Sequence, residues 1–290
     1  MLKKRIIACL VVKDGIVAQS KHFQKYLPVG KPEIAVEFLN HWGIDEIVLL
    51  DIDATREKRG PNVALIRKVS DKCFVPLSVG GGIHTLDEMR EVIRNGAEKV
   101  VINAAAVSNP ELIKEAAKVL GSQCVVVSID VRKKDHGGYE VFTHSGKIAT
   151  GLDPADLAKK VQSLGAGEIF LNSIDNDGAK GGYDLTLIKE VSAAVSIPVI
   201  VCGGAGHPQH FLEGFKEANI AGAAAGNYFH FTEHSPIVTK DFLRQHQVNV
   251  RLESYAKYEQ FNFDPQGRID KAPDSYLQKI KFEYHEEEVI

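Results

Sequence analysis

Eight short runs rich in valine and isoleucine alternate with amphipathic stretches, and this alternation limits the possible folds more than any other feature of the chain. Such a pattern favours parallel strand–helix units, and eight of them predict a closed (β/α)8 TIM barrel. Strands are expected at residues 5–12, 46–51, 75–79, 99–103, 124–130, 168–173, 198–202 and, more weakly, 221–225. Helices are expected at residues 31–42, 85–95, 109–120, 153–164, 185–194 and 209–218.

A doubly wound parallel sheet is the main alternative fold. Its nucleotide-binding turn needs Gly-x-Gly-x-x-Gly directly after the first strand. The first expected strand is followed instead by Lys13, Asp14 and Gly15. The pattern therefore favours the barrel.

The two halves of the chain resemble each other at an offset of about 120 residues, as expected of a tandem duplication. IIACLVVKDG matches VVVSIDVRKK, DIDA matches DNDG, and PLSVGGGI matches PVIVCGGAG. The alternative is that any two strand–helix units look alike. A barrel built from two half-barrels would present two related sites at its mouth, which suits a ligand with a charged group at each end.

Charge and cysteine usage exclude several classes of partner and compartment. The 35 basic and 38 acidic side chains leave a net charge of -3, so we expect no attraction to nucleic acid or to an anionic membrane surface. The four cysteines lie far apart, which favours reduced thiols in a cytoplasmic protein. No apolar run is long enough for a signal peptide or a membrane span.

Two glycine clusters follow expected strands at equivalent positions of the two halves. Gly80, Gly81 and Gly82 end the third strand, and a second cluster at residues 203–206 ends the seventh. Glycine lets backbone N–H groups approach an anion closely, and phosphate sites recur at this face of the barrel. The clusters predict two phosphate cradles, with tight turns of positive φ as the structural alternative.

Several segments closely resemble the cyclase (synthase) subunit of imidazole glycerol phosphate synthase, over residues 1 to about 253. They are KRIIACL, VGGGI, EKVVINAAAVSNPELI, GSQCVVVSID, SIDNDG and PVIVCGGAG. The resemblance implies a barrel that receives ammonia from a separate glutaminase subunit. At its mouth the family uses this ammonia to convert a bis-phosphate nucleotide derivative into imidazole glycerol phosphate and an aminoimidazole carboxamide ribotide. It further implies phosphate-binding roles for Gly81, Gly82, Asn103, Gly203, Gly204 and Gly226.

The family relies on two facing aspartates as general acid and base, at the ends of the first and fifth strands. Asp130 matches the second of them, but Val11 occupies the position of the first and cannot transfer a proton. Asp177 matches a further position near the substrate, and no histidine is assigned a catalytic role. Other usual mouth residues are replaced by Gln19, Ala104, Asn172, Ala179 and Gly226.

The opposite end of the barrel keeps the family pattern. The resemblance implies that ammonia enters through a ring of alternating charges at the N-terminal face. All four members match, namely Arg5, Glu46, Lys99 and Glu168, although strand edges are often polar for no functional reason. Glu98 matches the carboxylate that is expected to reach the glutaminase subunit.

Two acidic pairs at the ends of the second and sixth strands resemble a metal site. They are Asp51 with Asp53 and Asp175 with Asp177. Alternating aspartates are hard oxygen donors. Neither pair continues into a calcium-binding loop, and the resemblance implies no metal and no cofactor.

Residues 254–290 extend beyond the resemblance as an aromatic-rich segment. Its seven aromatic residues are Tyr255, Tyr258, Phe261, Phe263, Tyr276, Phe282 and Tyr284. QFNF, DPQG and RID predict a strand, a turn and a return strand, and IKFEY alternates like another strand. We expect a small β extension that covers the flank of the barrel or binds a partner.

Three functions remain open from the sequence. The first is an ammonia-conducting subunit with lost or weak cyclase activity, which supplies a third, ATP-dependent amidotransferase that turns an acetamido sugar into an acetamidino sugar. This resembles divergent cyclase-like barrels of surface-polysaccharide biosynthesis. The second is an authentic cyclase of histidine biosynthesis, and the third is a noncatalytic scaffold that only activates the glutaminase.

Overall fold

The computed structural model describes residues 2–271 and 273–277. Eight parallel strands close into a barrel, because the first barrel strand pairs with the last and the pairing continues without a break around the sheet. The barrel strands are β1 (Arg5–Lys13), β4 (Glu46–Asp51), β5 (Leu77–Gly80), β6 (Lys99–Ile102), β7 (Val125–Lys133), β10 (Glu168–Ser173), β11 (Val199–Cys202) and β12 (Gly222–Ala225). The predicted (β/α)8 fold is confirmed.

Helices follow the barrel strands, and six of them overlap the six helices expected from the sequence. They are α1 (Pro32–His41), α2 (Val63–Ser70), α3 (Leu86–Arg94), α4 (Ala104–Ser108), α5 (Glu111–Leu120), α6 (Pro154–Ser163), α7 (Leu185–Ala194), α8 (Pro208–Glu217), α9 (Ser235–Gln245) and the short α10 (Asp274–Leu277). Short 3-10 helices span Ser122–Cys124 and Asn227–His230. Within the described part of the chain, no helix is long and apolar enough to cross a membrane.

Two β-hairpins that the sequence pattern did not predict project from the mouth. β2 (Ile16–Lys21) and β3 (Lys25–Gly30) follow β1, while β8 (Tyr139–Thr143) and β9 (Ile148–Ala149) follow β7. β1 and β7 are the strands that the internal similarity aligns. Each half of the barrel therefore carries the same kind of insertion after its first strand.

The strands are buried on both faces, which explains their nearly continuous apolar sequences. Along β1, Ile6, Ala8 and Leu10 belong to the layer between strands and helices, whereas Ile7 and Cys9 point into the barrel. The interior cluster also contains Val48, Val101, Val126, Phe170, Ile200, Cys202 and Ala224. An apolar interior thus separates the N-terminal face from the mouth.

The extension folds back over the helices, and its predicted turn forms. Phe263 and Ile269 make an isolated antiparallel bridge around it, but no longer strand is present among residues 254–271 and 273–277. Phe263 packs on Phe242 of α9, and the carbonyl of Gln266 accepts a 3.1 Å hydrogen bond from Gln209 of α8. The strand expected at IKFEY lies outside the described residues.

A buried lysine joins the last barrel helix to the start of β4. Lys240 is fully buried, and its Nζ lies 2.5 Å from both the Gly43 carbonyl and an Asp45 carboxylate oxygen. Asp45 also accepts a 2.8 Å hydrogen bond from the backbone N–H of Ile6 and pairs with Arg251 at 3.2 Å. This network fastens α9 to the N-terminal face.

We predict that Lys240→Ala lowers the free energy of unfolding by about 3 kcal/mol, because removing one partner of a buried pair leaves buried polar groups unsatisfied. Lys189→Ala is the control, since Lys189 and Glu217 form an exposed pair that should contribute less than about 1 kcal/mol. Urea unfolding followed by circular dichroism checks both values. Equal effects of the two substitutions would contradict the structural role of Lys240.

Candidate functional site

A cavity at the C-terminal mouth of the barrel contains the predicted catalytic positions. Val11 at the end of β1, Asp130 at the end of β7 and Asp177 in the loop after β10 all line it. The parallel strands all end at this face, which is why residues so distant in sequence meet here. The cavity measures about 120 Å³, whereas sites for ligands of nucleotide size usually have at least several hundred.

Asp130 is a buried carboxyl group with one hydrogen-bond donor close by. Ser128 donates a 3.0 Å hydrogen bond to its Oδ1. Burial raises the pKa of Asp130 to about 7, the bond from Ser128 opposes this rise, and the charge of Asp177 adds to it. A group with this pKa exchanges protons readily near neutral pH, so Asp130 suits a general acid or base.

Asp177 holds the β2–β3 hairpin over the mouth. Its carboxylate accepts hydrogen bonds from Ser20 Oγ at 2.5 Å and from the N–H of Phe23 at 3.2 Å. Asn227 and the Ser20 backbone exchange two further hydrogen bonds, of 2.7 and 3.1 Å. Burial raises the pKa of Asp177, and the hairpin donors act in the opposite direction. These hydrogen bonds fasten the hairpin over the mouth.

The first predicted phosphate cradle lies at the wall of this cavity. Gly81, Gly82 and Asn103 line it, and Asn103 Nδ2 donates a 3.1 Å hydrogen bond to the carbonyl of Ser128. Gly81 has a φ of 117°, and a Cβ there would lie 2.2 Å from the Asp51 carbonyl oxygen. Glycine is therefore required by packing at this position, whether or not an anion binds.

The second predicted cradle follows β11 and β12. Gly203 and Gly204 have φ values of 94° and 113°, and a Cβ on Gly204 would lie 2.0 Å from the Gly182 carbonyl oxygen. Gly226 lines the mouth cavity beside Asn227. Both clusters thus adopt the tight turns of the structural alternative, and this geometry is compatible with phosphate binding.

A closed ring of four ion pairs covers the opposite, N-terminal face. Arg5 pairs with Glu46 at 2.6 Å and also with Glu168, while Lys99 pairs with Glu46 and Glu168 at 2.8 Å each. Ser78 donates a 2.9 Å hydrogen bond to Glu46. The two carboxylates are buried and the two cations are partly exposed, so the ring lies at the floor of the apolar interior.

Glu98 lies on the same face, directly before Lys99. Its carboxylate accepts a 2.6 Å hydrogen bond from the backbone N–H of Leu77, and the residue is exposed. The side chain is therefore held at the rim of the ring. Its predicted role in a partner interface stays a prediction.

Comparison with known proteins relates this arrangement to one family. Residues 5–235 match the family described as "Histidine biosynthesis protein". The chain belongs to this family. This chain is 48% identical to the imidazole glycerol phosphate synthase subunit HisF of Clostridium botulinum (strain Okra / Type B1). The match spans 253 residues, which are 87% of this chain and 100% of the relative.

A relative from Vibrio vulnificus (strain YJ016) has a name that ends in "imidazole glycerol phosphate synthase subunit hisF2". It is 46% identical over 268 residues, which are 92% of this chain and 98% of the relative. The chain is thus HisF-like, as its motifs predict. Both relatives match nearly from end to end.

The substitutions expected from the resemblance cluster at the mouth of this HisF-like barrel. Val11, Ala104, Asn172 and Gly226 all line the mouth cavity. Gln19 lies on β2, in the hairpin that covers the cavity. Asn172 Oδ1 is buried without a hydrogen-bond partner among the described residues.

The carboxylates of the two acidic pairs form hydrogen bonds or ion pairs with other groups of the protein. Asp51 forms a bidentate pair with Arg59 at 2.8 and 3.0 Å, and Asp53 pairs with Arg56 at 2.8 Å. Asp175 accepts a 2.8 Å hydrogen bond from the N–H of Lys133. These aspartates position the loops of the mouth. Among the described residues, no group of three or more His, Cys, Asp or Glu side chains is placed to hold a metal ion.

Sequence reasoning missed a second cavity of about 670 Å³ that adjoins the first, between the two hairpins. Phe23, Tyr26 and His144 belong to both cavities. Its cations are Lys13, Arg56, Arg132 and Lys147. The equivalence of β1 and β7 could have drawn attention to Lys13 and Arg132, which occupy matching positions in IIACLVVKDG and VVVSIDVRKK. The other two cations lie on loops that carry no such signal.

We predict that the carboxyl of Asp130 titrates with a midpoint near 7 in a carbon-13 NMR experiment. Asp177→Asn should lower this midpoint, because it removes a nearby negative charge and loosens the hairpin that excludes water. Ser128→Ala should raise it, because the hydrogen bond that favours the carboxylate is lost. A midpoint near 4 in the wild-type protein would contradict the buried environment.

Proposed function

We propose that this HisF-like chain is the ammonia-conducting subunit of a glutamine amidotransferase complex, and that its own cyclase activity is weak or lost. A glutaminase partner docks on the N-terminal face, and ammonia crosses the barrel to the mouth. The observation that carries the proposal is the contrast between the complete ring of Arg5, Glu46, Lys99 and Glu168 and the presence of Val11 at the mouth.

The ring supports an entry gate for a small neutral molecule. Two cations and two carboxylates balance each other, so the ring offers no net charge to attract or hold an ion. Above it lie the apolar and thiol side chains of the interior cluster, such as Ile7, Val48 and Phe170. Ammonia can cross such a lining, whereas ammonium would have to lose its hydration at a large cost. Passage requires the ion pairs to part for a moment.

The mouth supports the loss of cyclase activity. Ring closure needs one group that takes a proton and another that gives one. Asp130 can serve as one of the two, but Val11 cannot serve as the other. Asp177 is engaged by Ser20 and Phe23 of the closed hairpin. The mouth therefore offers one of the two proton-transferring groups that ring closure needs.

We assign the consumption of ammonia to a third protein at the mouth. In this proposal it is an ATP-dependent amidotransferase that converts an acetamido sugar into an acetamidino sugar for a surface polysaccharide, in line with the resemblance to divergent cyclase-like barrels. Lys147 of the second cavity forms no ion pair among the described residues, which supports an anionic, phosphate-bearing molecule near the exit. Gly81, Gly82, Asn103, Gly203, Gly204 and Gly226 would hold its phosphate groups.

An authentic cyclase of histidine biosynthesis is the second candidate. It is favoured by the 48% identity to a HisF subunit over that relative's whole length. It is also favoured by Asp130 and Asp177, which both line the mouth. In this case the two aspartates would share the proton transfers without a partner on β1.

We predict that the wild-type chain converts the bis-phosphate nucleotide substrate only slowly when ammonium salts supply ammonia, and that Val11→Asp raises kcat/KM by about 100-fold, the usual effect of a general acid or base. Val11→Asn is the matched control, because asparagine is polar and of similar size but cannot transfer the proton. Steady-state kinetics checks both variants. A near-normal rate of the wild-type chain would favour the authentic cyclase instead.

We predict that Lys99→Met abolishes ammonia transfer through the barrel while glutamine hydrolysis in the complex continues, because the ring then carries a net negative charge that would hold ammonium at the entrance. Lys114→Met is the control, since Lys114 forms only an exposed pair with Glu111. The measurement is the amount of amidated product per glutamine hydrolysed. An unchanged ratio for Lys99→Met would support the noncatalytic scaffold that only activates the glutaminase.

A further inference from the structure

An open cavity of about 470 Å³ lies on the flank of the barrel, away from the mouth. Its walls come from the end of α1, from the residues before α9 and from the extension. They are Phe38, His41, Trp42, Glu233, His234 and Tyr255. We infer that this aromatic cage binds a positively charged side chain, an ammonium or a guanidinium group, of the glutaminase partner.

The rings of the cage form a continuous series. The centroid of Trp42 lies 5.7 Å from that of Phe38 and 6.2 Å from that of His234, which in turn lies 5.2 Å from Tyr255. Phe38 and Tyr255, at the two ends of this series, are 50% and 68% exposed, so both rings are accessible to a ligand. Clustered and accessible aromatic rings of this kind are typical of binding surfaces.

The electrostatics of the cage favour a cation. Aromatic faces carry partial negative charge and attract ammonium and guanidinium groups within about 6 Å, tryptophan most strongly. Glu233 adds a full negative charge, and no hydrogen bond or ion pair engages its carboxylate among the described residues. The cage therefore combines apolar contact area with an uncompensated carboxylate.

Tyr255 is held in place by an unusual histidine. His234 adopts a left-handed backbone conformation, with a φ of 58°. One ring nitrogen bonds the Tyr258 hydroxyl at 2.6 Å and the other bonds the Tyr255 hydroxyl. Strained residues persist where the surrounding structure needs them. The two tyrosines lie beyond residue 235, where the family match ends, so the extension completes the cage.

The position of the cage favours the glutaminase as its partner. Trp42 directly follows α1, and β4 begins four residues later at Glu46, a member of the charged ring. Ser254 also reaches back to the carbonyl of His41 with a 3.4 Å hydrogen bond. A protein seated over the ring can therefore reach the cage with one long basic side chain. The identity of this protein rests on the proposed function, whereas the preference for a cation does not.

Trp42 is the only tryptophan of the chain, so its fluorescence reports on the cage alone. We expect choline and N-acetylarginine amide to change this fluorescence saturably at millimolar concentrations in the full-length protein at pH 8. The neutral isostere 3,3-dimethylbutanol should give no saturable change. Equal binding of the isostere and of choline, or no binding of either cation, would overturn the cation site. Neither result depends on ammonia transfer.

Two variants assign the binding to the cage. Tyr255→Ala and Glu233→Gln should each weaken choline binding about fivefold, the usual effect of losing one exposed cation–π or charge contact. Both side chains are exposed, so the fold should be retained, which circular dichroism checks. Phe74→Ala is the control, because Phe74 is 82% exposed and outside the cage. Unchanged affinity in both cage variants would overturn the assignment.

The final experiment tests whether the glutaminase supplies the positively charged side chain. Tyr255→Ala should weaken docking of the purified glutaminase about fivefold in calorimetry, and choline should compete with docking in the wild-type protein. Ile148→Ala, at an exposed position of β9 in the hairpin at the mouth, should leave docking unchanged. Normal docking by Tyr255→Ala would overturn the glutaminase as the source of the cation. Loss of ammonia transfer in Lys99→Met is a separate result, so the failure of either proposal can be recognised on its own.

Discussion

Parallel closure of the barrel is the constraint on which the rest of the structure depends. Because every barrel strand runs in the same direction, all eight begin at one face and end at the other. Residues at strand starts can then form one charged ring, and residues at strand ends can form one mouth. An apolar interior lies between them. The topology thus provides two separate ends, and the side chains at each end determine its chemistry.

The two ends of the barrel carry different sets of side chains. At the N-terminal face, four side chains from four strands still form a closed and charge-balanced set. At the mouth, Val11 of β1 shares a cavity with Asp130, whose pKa is raised to about 7 by burial. Under the proposed function, such a barrel would pass its reactant on to another protein instead of consuming it.

The sequence predicts the elements that repeat along the chain and the turns formed by neighbouring residues. The barrel strands follow from their apolar runs, and the turn of the extension follows from DPQG. The β2–β3 hairpin could not be predicted, because β3 is largely exposed and lacks an apolar alternation. The bond between Ser20 and Asp177 joins residues 157 positions apart, and Lys240 looks like an ordinary helix lysine until Asp45 is placed beside it. The catalytic positions were predicted from the resemblance, whereas the hairpin that covers them is seen only in the structure.

The ring also has a consequence for how the protein is made. Arg5 meets Glu168, 163 residues later, and Lys4 bonds Asn249 near the end of the barrel. These contacts cannot form on the ribosome until most of the chain has emerged, and such long-range pairing is slow in general. The complete ring is therefore a signature of a finished barrel. A subunit that recognises this face would therefore bind only chains that have already folded. It would not bind newly made or misfolded copies.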